Sequence, residues 1–381
     1  MIQKITDRCV EISAFDAGEH PFEGQYPIPE GITYNTWLLD DGAAVLMDTV
    51  DAAFTKDWLD ELKTVLNGRK LDYLVVSHME PDHSGSILEV TKAYPEVKLV
   101  GNAKTFGMMD QFIQGVKAER VVVKDGETLQ AGGISLRFVF APMVHWPEVM
   151  VAYEEKDKTL FAADAFGTFG NGADAGWAEE ARRYYSNIVG KYGVQVQNLM
   201  KKLSAFDVAR ICPLHGPVLS DETMADALRL YGLWSAWEPE SEGTLVVCAS
   251  FHGNTLAAAE AFCAMAQNEK EAALVDLSEA HTSYAIGQAF KYRNIALFCT
   301  TNDGAFAPLM EKFINSMKMK GIQKRRFALV ENGSWAPMAA KGMRAALEGM
   351  KNIEVLDHQV TIRSSMTEAN RAELAQLAKE L

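Results

Sequence analysis

Cysteine is scarce and unpaired in this chain of 381 residues. Its five cysteines, Cys9, Cys212, Cys248, Cys263 and Cys299, are scattered, odd in number and never spaced C-x-x-C. That pattern excludes a disulfide framework and reads as reduced thiols in a cytoplasmic protein. It also excludes an appended rubredoxin-type iron domain, which would need paired cysteines. Positive charge is short as well: 37 Lys+Arg against 51 Asp+Glu leave a formal net charge of −14. Phosphate binding needs a basic surface, so this charge argues against nucleic acid as a partner. No run of about 18 uninterrupted apolar residues occurs, which argues against a membrane span. The N-terminus, Met1-Ile2-Gln3-Lys4-Ile5-Thr6-Asp7-Arg8, lacks the apolar core of a signal peptide. What remains is a globular composition, 48% hydrophobic and 23% charged, in a chain long enough for two or three domains.

The two halves are patterned differently. Up to about residue 240, short strand-like runs alternate with turn signals: 36–39 and 43–47 flank Asp40-Asp41-Gly42, a hairpin signal. Further strands are predicted at 98–101, 120–123, 134–140 and 149–153, and helices at 54–66, 85–93 and 179–203. A mixed sheet layered with helices follows. Glu238-Pro239-Glu240-Ser241-Glu242-Gly243 is polar and carries Pro and Gly, so it reads as a linker between a domain at 1–240 and one at 243–381. Beyond it, strands at 244–249, 272–276, 294–299, 326–330 and 353–355 alternate with helices at 256–267, 281–290, 306–319 and 336–347. Such alternation indicates a doubly wound parallel sheet. There is no internal repeat.

One stretch of the first half is dense in chemistry. Ser77-His78-Met79-Glu80-Pro81-Asp82-His83-Ser84-Gly85 follows an apolar run at 71–76 and places four metal-capable side chains between His78 and His83. His145, Asp164 and His215 also come at or just past the ends of strand-like runs. Ligands carried on strand ends converge on one rim of a sheet, as a rigid metal site needs. A mixture of imidazole and carboxylate without cysteine suits iron or manganese better than a structural zinc site. His20, His281 and His358 stand alone and read as ordinary histidines.

In the second half, the first strand ends in Ser250-Phe251-His252-Gly253-Asn254-Thr255, where a helix begins. Hydroxyl, amide and backbone N–H donors gather there at the positive end of the helix, with no Lys or Arg, which suits a monophosphate held by neutral donors. Two later loops, Thr300-Thr301-Asn302-Asp303-Gly304-Ala305-Phe306 and Glu331-Asn332-Gly333-Ser334-Trp335, follow the third and fourth strands. This half resembles flavodoxin over nearly its full length. The resemblance implies FMN, with Ser250, His252, Asn254 and Thr255 around the phosphate and Thr301, Asn302, Asp303, Gly304 and Trp335 flanking the isoalloxazine.

The His78–His83 loop is similar to the His-x-His-x-Asp-His loop of metallo-β-lactamase-type hydrolases, with Glu80 where those have their second His. The first half thus looks like their αββα sandwich. Taken with the flavodoxin-like half, the chain resembles the flavodiiron proteins from end to end. That resemblance implies a di-iron site in which His78, Glu80 and His145 bind one iron, Asp82 and His215 the other, and Asp164 bridges them. His83 matches a position that usually points away from the metals. Trp146 and the 182–187 segment are candidates for lining or supporting the pocket, although Tyr184 and Tyr185 equally fit a core. The implied activity is reduction of O2 to water, of NO to N2O, or both, by electrons passed through FMN. The implied assembly is a head-to-tail homodimer or a dimer of dimers, served by a separate donor such as rubredoxin or a flavin reductase. The rival from another class is a binuclear zinc hydrolase fused to a flavodoxin domain, and Glu80 argues against it.

Overall fold

Strand runs in the first part of the chain pair into two sheets, and those in the second part into a third. The computed structural model describes residues 1–171 and 176–381. It comprises two compact units, one formed by Met1–Ala181 and Val194–Gly232, the other by Arg182–Gly193 and Leu233–Leu381.

In the first unit, seven strands run in chain order across one sheet: Ile2–Lys4, Cys9–Asp16, Ile32–Asp40, Ala44–Met47, Tyr73–Val75, Lys98–Gly101 and Arg120–Val122. The first four pair antiparallel, and from Ala44–Met47 onward the pairing is parallel. The second sheet runs Leu219–Ser220, Arg210–Cys212, Thr159–Phe161, Met150–Glu154, Ile134–Phe140 and Thr128–Ala131. Between the sheets lie Trp37, Met47, Val75 and Val100 from one and Leu136, Phe138, Met150 and Phe161 from the other. Each such side chain contributes roughly 1.5–3 kcal/mol on leaving water, enough in sum to fix the layers. This is the αββα arrangement that the resemblance implies.

The sheet layout sets the site. His78 lies three residues beyond Tyr73–Val75, Asp164 three beyond Thr159–Phe161, and His215 three beyond Arg210–Cys212. Phe161 and Cys212 are register partners in a parallel pair, so Asp164 and His215 leave the sheet side by side.

The second unit holds five parallel strands, Ser241–Ala249, Ala272–Asp276, Tyr292–Asn302, Arg326–Asn332 and Glu354–Ile362. Numbered along the chain they lie in the order 2-1-3-4-5, the flavodoxin-like order.

Three local expectations are corrected. The 179–203 pattern is two helices, Trp177–Ile188 and Gly193–Leu203, with a 3-10 turn at Gly190–Tyr192 between them. Close packing at two glycines accounts for the break: a Cβ on Gly190 would meet the Phe290 ring at 3.0 Å, and one on Gly193 the Ser235 carbonyl at 2.3 Å. The 238–243 stretch is not a free linker. Ser241 already opens a strand, and Glu240 accepts from Trp234 Nε1 at 2.6 Å and pairs with Arg182 at 3.3 Å. Finally, the chain ends in a helix, Glu368–Glu380, where no helix was predicted.

Candidate metal centre and ligand cavity

Pro81 at the first helical position starts a single helical turn, Pro81–Ser84, which carries Asp82 and His83 on its inner side. Glu80 is its N-cap residue, and the extended backbone of that position aims its side chain back toward His78. His145 comes from the loop between Ile134–Phe140 and Met150–Glu154. Positive φ at Met143 (66°) and Ala163 (50°) turns the chain sharply just before His145 and Asp164.

These residues form two sets of donor atoms that meet at Asp164. On one side, His145 Nε2 lies 3.0 Å from Glu80 Oε2 and 3.0 Å from Asp164 Oδ2, and His78 Nε2 lies 3.2 and 3.4 Å from the same two oxygens. On the other, His83 Nε2 is 3.2 Å from Asp82 Oδ2 and 3.2 Å from Asp164 Oδ1. His215 Nε2 is 3.5 and 3.8 Å from those oxygens and 3.0 Å from His83 Nε2. Asp164 thus turns one oxygen to each set. His83, which the sequence reading set aside, points into the second set.

The donor chemistry fits a pair of cations. Both Asp82 oxygens and Asp164 Oδ1 are buried and accept no well-aligned hydrogen bond among the described residues. Burial alone would neutralise Glu80, yet His145 and His78 outweigh it and hold the carboxyl at about 2. Burial opposes charge on His83 and His145, but neighbouring carboxylates push them up to about 10 and about 9. Anionic oxygens and imidazoles at this density are a proton-filled version of a dication site, and metal would displace those protons.

Outer contacts aim the ligands. His215 Nδ1 donates to the Thr33 carbonyl at 2.8 Å, and His78 Nδ1 sits 2.8 Å from Glu148 Oε1. Fully buried Asp48 accepts from Ser77 N at 2.8 Å and from His78 N at 3.3 Å. Trp146 stands edge-on to the His78 ring at 5.3 Å. A tight turn packs against the site: Phe22 and Tyr26 pair antiparallel, and Phe22 stands edge-on to His215 at 5.6 Å. Glu23 at its tip has its carboxyl pushed up to about 7, first by lost hydration and then by the like charge of Glu80.

Glu148 and Asp48 escaped sequence reasoning. Asp48 follows the strand Ala44–Met47 directly, so the strand-end rule that found Asp164 would have found it. Glu148 carries no such signal. The 182–187 segment falls in the second unit, where Tyr185 packs on Trp234 and Phe290 and Arg183 lies over Tyr284.

The second unit holds a cavity of about 570 Å³ at the carboxyl ends of its strands. Ser250, His252, Asn254, Thr255, Thr301, Asp303, Gly304 and Trp335 line it, together with Phe251, Thr300 and 332–334; Asn302 does not. Gly253 adopts φ 84° and its N–H donates to Ser250 Oγ at 3.2 Å, leaving the start of the helix Asn254–Glu269 facing the cavity. Trp335 is 89% exposed and Phe251 51%. Trp335 is therefore no core aromatic, and two bare rings beside a polar helix start suit a planar ligand with an anionic tail.

Residues 32–216 match the model of the ODP family beta lactamase. A diflavin flavoprotein from Synechocystis sp. is 30% identical over 64% of this chain and 44% of its own length. The nitric oxide reductase of Moorella thermoacetica is 28% identical over 63% of each chain. The chain thus spans about half to two-thirds of the length of these curated relatives. The solved flavodiiron protein of Giardia intestinalis superposes with a TM-score of 0.93 over 100% of this chain and 96% of that one, at 22% identity, which establishes the fold. No described helix is long and apolar enough to cross a membrane.

Proposed function

We propose that the chain is a flavodiiron protein, an oxidoreductase passing electrons through FMN to a di-iron centre that reduces O2 to water, NO to N2O, or both. The observation that carries this reading is Asp164, a buried carboxylate turned to two separate imidazole-and-carboxylate sets. His78, Glu80, His145 and one oxygen of Asp164 would hold the first iron; Asp82, His215 and the other oxygen, joined by His83, the second. Bound iron supplies a ferrous/ferric couple with open positions for a diatomic molecule.

The chain's own groups do the rest. Hard carboxylate donors favour iron, and Phe22, Tyr34 and Trp146 restrict water around the histidines. In the second unit, Ser250, Asn254 and Thr255 would take the FMN phosphate, and Trp335 and Phe251 would cover the ring. Electrons come from a separate protein such as rubredoxin or a flavin reductase, and the working form is a cytoplasmic head-to-tail homodimer. These last points rest on the family resemblance.

Metal analysis followed by anaerobic reduction and stopped-flow mixing tests the whole reading. About two iron per chain and rapid reoxidation by O2 or NO are expected, with both reactions lost in the Glu80→Ala/Asp164→Ala double variant while FMN stays bound. Two zinc per chain with ester or lactam hydrolysis and no gas consumption would overturn it.

A further inference from the structure

Glu148 is 1% exposed and lies outside the proposed ligand set. Its Oε1 accepts from the backbone N–H of Met79 at 2.9 Å and faces His78 Nδ1 at 2.8 Å. Its Oε2 is buried and has no hydrogen-bond partner among the described residues. The segment that carries it is pinned separately, because Asn102 Nδ2 donates to the Glu148 carbonyl at 2.5 Å and Asn102 also caps the helix Ala103–Phe112.

A purely structural role leaves the charge unexplained. One amide oxygen accepts from two donors, so glutamine would satisfy both Met79 N–H and His78 Nδ1–H. Burying a carboxylate is costly unless it is paired, and among the described residues the ion-pair partner in contact is His78. A carboxylate on Nδ1 fixes the imidazole as its Nδ1–H tautomer, leaves the Nε2 lone pair for a cation, and raises the ring's basicity.

We propose that Glu148 is a positioning residue that orients His78 and strengthens it as a metal ligand through charge, with Asn102 holding the carboxylate-bearing loop in place. The inference rests on the di-metal reading of this site. Support of this kind is typically worth about 10–100-fold in metal affinity.

The test compares iron-loaded wild type, Glu148→Gln and Glu148→Ala as full-length chains. Glu148→Gln keeps the shape and both acceptor contacts, removes the charge and sets an amide NH2 where Oε2 lies. It should fold normally by circular dichroism, release iron to a ferrous chelator about ten times faster, and show a raised ferric/ferrous potential for one of the two irons. Glu148→Ala should release it about a hundred times faster. The proposal is overturned if Glu148→Gln matches wild type in both release and potential, whatever Glu148→Ala does. If the wild type holds zinc and no iron, the flavodiiron reading fails, and zinc release from the same three proteins still decides the role of Glu148.

Discussion

Asp164 and Glu80 are understandable one residue at a time. A carboxylate offers two oxygens, so Asp164 can serve two cations, whereas a histidine at that position could serve one. Glu80 replaces an imidazole with a harder oxygen donor, which moves the preference of the loop from zinc toward iron. Glu23 makes a separate prediction at this scale. Its folded-state carboxyl titrates near 7, above its ordinary value of 4.5. Between those values the folded chain holds a proton that the unfolded chain gives up, so this group's contribution to stability is present at low pH and is lost as pH rises through about 7. Metal-free Glu23→Gln should therefore melt with the wild type at pH 4 and above it at pH 8. Equal melting shifts at both pH values would show that Glu23 does not sense the cluster.

Elements explain what their residues alone cannot. The shared offset of three residues past a strand end puts His78, Asp164 and His215 on one rim, and parallel pairing makes two of them neighbours. That rule was legible, because strands of β-branched and aromatic residues announce themselves and their ends are short. Two elements were not. The break at Gly190–Tyr192 depends on Phe290 and Ser235, residues distant in sequence, so the helical period ran on undisturbed in the local reading. The last helix, Glu368–Glu380, is largely polar and buries only Leu374, Leu377 and Ala378, which leaves a faint periodic signal. It starts with a capping box: Thr367 Oγ1 accepts from Asn370 N at 3.2 Å and Asn370 Oδ1 accepts from Thr367 N at 3.2 Å. Thr367→Ala should cost about 1 kcal/mol in urea unfolding of the second unit, followed by flavin release. No change in midpoint would mean that packing alone holds this helix.

At the scale of the molecule, each unit carries its own core and its own candidate site. None of the residues lining the flavin cavity belongs to either donor set. Removing metal with a chelator under reducing conditions should therefore abolish gas consumption and leave the flavin bound, as read from the absorbance of protein and filtrate. Release of flavin together with metal would refute this independence.

By itself the sequence determined the two fold classes and marked where chemistry-bearing residues follow strand ends, because strand, turn and polar residue succeed one another locally; the assignment of six of them as ligands, and of the 250–255 loop to a phosphate, comes from the family resemblance. Only the tertiary structure decided that His83 points into the second set, that Trp335 is bare, and that Glu148 backs His78. Rotamer, burial and contacts between residues 70 positions apart follow from how layers pack. No local pattern encodes where a neighbouring layer will be.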